Sequence, residues 1–154
     1  MPIVTLVKSA RKDNSVCKKG ESYYWWKFRY GRKRLSLTYP KRSQLTQSNF
    51  LSQLYDLQDN MEFDRAELEM SRDGITEQIQ CLRDECQESL DNIPEHLQCA
   101  PTGELIQERI DALESWESEF ENVDIEFDED LTAEEKEERT DELIQELENC
   151  EFEL

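Results

Sequence analysis

Histidine occurs once in these 154 residues, at His96, and glycine and proline four times each. So few glycines leave no Gly-rich phosphate loop, and no GxSxG elbow or Ser/His/Asp set is present, so the common catalytic constellations have little to stand on. A lone histidine beside a proline turn reads as a surface or capping residue, and no enzyme is expected. No run approaches the roughly 20 apolar residues that span a bilayer. The first residues, Met-Pro-Ile-Val-Thr-Leu-Val-Lys, are too short for a signal peptide, so a cytoplasmic setting is expected. Five cysteines, an odd number at irregular positions, fit reduced thiols better than a disulfide framework.

Acidic residues are also scarce, but only locally. Residues 1–50 carry twelve Lys/Arg against Asp13 and Glu21, a net +10, while residues 51–154 carry six against 35 acids, a net −29. The overall charge of −19 therefore averages two opposite halves. Such asymmetry marks a nucleic-acid or membrane arm joined to an acidic segment.

The densest signal in the basic half is Ser22-Tyr-Tyr-Trp-Trp-Lys-Phe-Arg-Tyr30, followed by Gly31-Arg-Lys-Arg34 and Leu35-Ser-Leu-Thr-Tyr39. As a strand its period of two places Tyr24, Trp26, Phe28 and Tyr30 on one face and Tyr23, Trp25, Lys27 and Arg29 on the other. The second face mixes rings with cations, which suits phosphates and bases. Against this stands a plainer possibility: the rings fill a sheet-to-helix core and the cations keep an edge strand soluble. The candidate nucleic-acid-binding residues are Tyr23, Trp25, Lys27, Arg29, Arg32, Lys33 and Arg34. Phosphate contacts alone would account for this composition, so it carries no base-specific readout.

Residues 3–8 read as a first strand, Gly20 and Gly31 as turns, and Pro40 as the end of a three-stranded antiparallel sheet, with Ser43 or Thr46 capping the next helix. From Phe50 the period changes. Leu54, Met61, Leu68, Ile75 and Leu82 form a column at spacing seven, which predicts one long amphipathic helix to about Asp91, with Gly74 its weak point. Pro94 breaks it, 95–98 form one short turn, and Pro101 and Gly103 punctuate again. Ile106, Ile110, Leu113, Trp116 and Phe120 then mark a helix of about 20 residues, folding back as an antiparallel hairpin. Residues 123–130 alternate like a strand but are acidic enough for a linker. Thr132 and Glu135 make a capping box for a last helix that buries Leu143, Ile144, Leu147 and Cys150.

The predicted class is α+β: a small three-stranded antiparallel sheet followed by a long helix and an antiparallel helical hairpin, with an acidic C-terminal helix. Composition divides it into a basic sheet (1–45), a coiled-coil-like hairpin (46–122) and an acidic linker and helix (123–154). Apolar seams on long helices commonly find a second copy, so a homodimer is expected.

Cys81, Cys86, His96 and Cys99 form the only set with metal-ligand spacing. On one helix, residues 81 and 86 diverge by about 140° at 100° per residue, so neither metal nor cofactor is expected. The many carboxylates of the second half read as solvated helix faces or, alternatively, as a mimic of a nucleic-acid backbone that occupies a basic surface on a host protein.

Through Tyr24-Trp-Trp-Lys-Phe-Arg29, the Gly31-Arg-Lys-Arg34 turn, a third strand and an amphipathic helix, the first 60 or so residues resemble the AP2-like, arm-type DNA-binding domain of tyrosine integrases. That resemblance implies a sheet entering the DNA major groove with the helix packed behind it, and puts Trp25, Lys27, Arg29, Arg32, Lys33 and Arg34 on the DNA side. Lys8-Ser-Ala-Arg-Lys-Asp13, Gly20-Glu-Ser-Tyr-Tyr-Trp-Trp26, Asp91-Asn-Ile-Pro-Glu-His-Leu-Gln98 and Pro101-Thr-Gly-Glu104 also resemble small proteins of bacteriophages and prophages. This second likeness implies a viral or bacterial setting and no activity. Taken together, the basic sheet and the helices lead to the expectation of a non-enzymatic interaction protein that touches nucleic acid through the sheet and a protein partner, or itself, through the helices, with an anti-defence role for the acidic helices as the alternative.

Overall fold

The computed structural model describes residues 1–154 and divides into two compact units, Met1–Asp59 and Asn60–Leu154. The class is α+β, a three-stranded antiparallel sheet and five helices.

In the N-terminal unit β1 (Thr5–Val7), β2 (Tyr23–Lys27) and β3 (Lys33–Ser36) pair in sequence order. Thr5 and Leu35 flank Trp25 in the register, while Arg34 lies opposite Trp26. The turn into β2 uses Gly20 at φ 96°, a left-handed conformation that glycine adopts without steric cost. Ala10 continues the β1–β2 pairing beyond the strands: its N–H donates to Glu21 O at 2.8 Å, and its carbonyl accepts from Gly20 N–H at 2.9 Å. Within the basic loop, Asp13 accepts the Lys19 amide and Glu21 the Lys18 amide, each at 2.7 Å. Both carboxylates of the first fifty residues are thus spent on the loop's own backbone.

β2 stops three residues earlier than its alternation suggested. The Phe28 carbonyl accepts from Gly31 N–H at 3.1 Å, closing a tight turn that breaks the period, and β3 begins at Lys33 rather than Leu35. Tyr30 was expected beside Trp26 and Phe28; the turn leaves it 88% exposed. The core beneath the sheet is Trp26, Phe28 and Leu45, with Val4 packed on it. Trp26 carries a polar atom into that core, and its Nε1–H donates to Gln44 O at 3.2 Å. Gln44 and Leu45 belong to a 3-10 turn, Arg42–Leu45, which leads to α1 (Asn49–Asp59). Neither expected cap closes α1. Ser48 does, its Oγ accepting the Leu51 amide at 3.3 Å, while Thr46 accepts the Ser48 amide and Ser43 lies within the turn.

The helix expected from Phe50 to Asp91 is two helices. α1 ends at Asp59 and α2 (Leu68–Asp91) starts afresh. Between them Asp64 satisfies the chain locally: its Oδ1 accepts from Ala66 N–H, its carbonyl from Glu67 N–H, and its own N–H donates to Ser71 Oγ. Short polar side chains of this kind compete with helical hydrogen bonding, and here they override a hydrophobic column that continues through Met61.

α2 buries Leu68, Ile75, Ile79, Leu82, Cys86 and Leu90 at intervals of three, four and seven, and packs on α4 (Pro101–Asn122) through Ile110, Leu113, Trp116 and Phe120. The pair is antiparallel, since Arg72 reaches Val123 O while Gln80 and Arg83 reach Glu117. α3 (Glu95–Gln98) makes the corner. Pro101, rather than interrupting, occupies the first turn of α4, where a missing amide costs nothing. Gly103 follows because a Cβ there would sit 2.0 Å from the Gln98 carbonyl oxygen.

Residues 123–130 form no strand. α5 (Ala133–Glu148) opens with the predicted capping box: Thr132 Oγ1 accepts from Glu135 N–H at 3.3 Å and Glu135 accepts from Thr132 N–H at 2.8 Å. Leu143, Leu147 and Cys150 are buried and Ile144 half-buried. Trp116 Nε1–H donates to Cys150 O at 3.0 Å, and Phe152 packs edge-on against the same indole. Composition suggested boundaries after 45 and 122. The compact units instead group α1 with the sheet and the acidic end of the chain with the hairpin.

Candidate nucleic-acid interface

The register sorts the seven candidate residues. Tyr23, Trp25 and Lys27 alternate along β2 on one face, where Thr5 and Val7 of β1 and Lys33 and Leu35 of β3 are their direct partners. Lys33 lies over the Trp25 ring with Nζ 4.2 Å from the centroid, a cation–π contact worth roughly 0.5–1 kcal/mol where solvent reaches it. Arg29 and Arg32 lie beyond the strand ends, both exposed, with Arg29 over the Tyr30 ring at 5.3 Å. Arg34 does not join this face. It opposes Trp26, and its guanidinium lies 5.2 Å from the Phe28 centroid, covering the core.

The face does not stand alone. Thr5, Trp25, Lys27, Phe28 and Arg29 line an open groove of about 960 Å³ together with Leu45, Thr46, Gln47, Leu51 and Tyr55 and with Met1, Pro2 and Ile3. Its volume falls in the range of small-ligand sites, roughly 300–1,000 Å³. Leu51 and Tyr55 are groove residues that the helical stripe reading missed. They stand four apart on α1, beside the Phe50, Leu54 and Leu57 stripe, and that second apolar pair is the signal that could have found them. Arg42 contacts one of these residues: it pairs with Asp59 at 2.6 Å and lies over the Tyr55 ring at 5.0 Å.

None of the eleven Lys and Arg side chains in residues 1–41 makes an ion pair, and only Arg42 of the twelve cations does. With Asp13 and Glu21 committed to amides, the positive charge of residues 1–41 is not neutralised by ion pairing within the chain.

The remaining candidates do not converge. No group of three or more His, Cys, Asp or Glu side chains is placed to hold a metal ion. Cys86 is buried in the helical core, whereas Cys81 and Cys99 are exposed. Burial pushes the Cys86 thiol up, with Arg109 opposing and Glu85 adding to the rise. Cys150 is raised by burial and further by Glu119 and Glu146. Desolvation favours the uncharged thiol, so neither is an activated nucleophile.

In the C-terminal unit the structure adds a buried polar network. Glu117, 7% exposed, accepts from Gln80 Nε2 and Arg83, each at 2.5 Å, so α4 carries a carboxylate among its apolar positions and α2 neutralises it. No helix is long and apolar enough to cross a membrane. No protein family, curated protein or solved structure that was compared with this chain matches it.

Proposed function

We propose that this chain is a non-enzymatic interaction protein of the bacteriophage type, binding nucleic acid through the N-terminal unit and a protein partner, or a second copy of itself, through the helices of the C-terminal unit. The observation that carries the reading is the set of unpaired cations beside Trp25 along one groove. Phosphate neutralisation supplies affinity, and the adjacent ring supplies a stacking surface. Arg34 is left out of the contact set because its stem and guanidinium cover Phe28.

The test is a salt titration of the full chain and of a variant with Lys27, Arg29, Arg32 and Lys33 replaced by Ala, against labelled DNA and RNA. The variant should lose at least tenfold in affinity at low salt and show a shallower dependence on log[salt], by about one for each phosphate contact removed. Unchanged affinity and slope would sink the reading.

One observation favours a second reading, an anti-defence protein whose acidic helices occupy a basic surface on a host protein. Residues 60–154 hold 33 acids against six bases, a net −27, so most carboxylates there have no cation to pair with. Residues 1–59 alone distinguish the two, since that fragment keeps the activity under the first reading and loses it under the second.

A further inference from the structure

We infer that the groove receives an unpaired base of a single strand, so that the favoured partner is single-stranded nucleic acid rather than duplex. This rests on the reading of the same face as a nucleic-acid interface, and names which form of nucleic acid fits it. A sheet that inserts into a major groove must present a protruding surface; here Trp25 and Lys27 line an open groove that Leu51 and Tyr55 line as well. A concave site takes in its partner instead of entering it. Duplex DNA keeps its base faces stacked and offers phosphates and base edges only, whereas a single strand can turn a base face toward an aromatic wall.

The chemistry along the groove follows the same order. Trp25 and Tyr55 each supply a ring to the groove, and Thr46 and Gln47 supply hydrogen-bonding groups to it. Lys27 and Arg29 line the groove without a carboxylate partner, where the phosphates flanking an inserted base would lie. An acidic peptide would satisfy the two cations, but it would leave both rings facing side chains with no π surface of their own.

The test uses the full chain at low ionic strength, with fluorescence anisotropy of a labelled 15-residue oligothymidylate and of a hairpin duplex of equal length. The single strand should bind at least tenfold more tightly. Trp25→Ala should weaken single-strand binding about tenfold and duplex binding less than twofold, and Trp25→Phe should restore most of the loss. Tyr55→Leu, in the same groove, provides a second readout should Trp25→Ala fail to fold, with the same selective loss expected. Equal or tighter binding of duplex, or a loss shared equally by both forms, overturns the single-strand assignment and leaves the nucleic-acid reading standing. Absence of binding to either oligonucleotide removes both, and direct binding of a labelled glutamate-rich peptide would then reassign the groove.

Discussion

The two units use charge and burial in opposite ways. In the C-terminal unit Arg65, Arg72, Arg83 and Arg139 all pair with carboxylates. The largest fully buried side chains, Trp116, Phe120, Ile79, Leu113, Leu143 and Leu147, all lie there as well. In the N-terminal unit only Arg42 is ion-paired, and its deepest large side chains, Leu54 and Trp26, stay 2% and 3% exposed. Exposed pairs such as Arg65 with Asp141 contribute little to stability, a median of about 0–1 kcal/mol, so the difference is chiefly one of availability. Helices holding a dry core can carry a large excess of acid on their outer faces. A small sheet with few acids keeps its cations free for something else.

The comparison is broken most forcefully from the helical side. Phe120, with no exposed surface, packs on Trp116 and Phe63, and Phe120→Ala should cost about 3–5 kcal/mol in urea unfolding of the C-terminal unit. Oligonucleotide binding should survive it at temperatures where the N-terminal unit stays folded. Loss of both together would show that the division of labour is false. Next in size, Glu117→Ala should cost about 2 kcal/mol, because it strands Gln80 and Arg83, whereas Glu117→Gln should cost less by keeping one acceptor.

A gain in stability sharpens the contrast. Gly74 lies inside α2 with nothing within 4 Å of where a Cβ would stand, so Gly74→Ala should stabilise the C-terminal unit by about 1 kcal/mol, read as a shift in urea midpoint at unchanged slope. The smallest effect is a pH dependence at α5. The Thr132 backbone and side-chain hydrogen bonds hold Glu135 below the usual carboxylate range. A depressed folded-state pKa contributes stability that is complete above the unfolded value, about 4.3, and is lost as pH falls through the folded value. Amide protection factors in the first turn of α5, taken relative to the intrinsic exchange rate at each pH, should therefore fall on acidification through the folded value, and Glu135→Gln should remove the dependence.

Much of this was legible in the residues because local chemistry and tertiary packing agree. Thr132 with Glu135, the Leu143 and Leu147 pair, and the stripes of α2 and α4 each follow from spacing alone. The break at 60–67 was hidden because Met61 kept the column in phase while Asp64 redirected the hydrogen bonds. The cationic face was visible as alternation on β2, but its groove was not. A strand pattern assigns side chains to faces and says nothing of which helical residues line a groove with them. The separation of Arg34 from Lys33 was hidden for a related reason: the turn closed by Phe28 and Gly31 sets the register of β3, and that register pairs Lys33 with Lys27 and Arg34 with Trp26.

The placement of the three tryptophans turns this architecture into an optical instrument. Trp116, 1% exposed and hydrogen-bonded to the Cys150 carbonyl, emits from the dry interior of the helices. Trp26 emits from beneath the sheet and Trp25 from the groove wall beside Lys33. Emission lost on filling the groove therefore comes from Trp25, while the red shift that marks melting of the helical core comes from Trp116. With Trp25 and Trp26 each replaced by Phe, the remaining signal belongs to the C-terminal unit alone, so the two halves can be watched separately in one intact chain without an added label.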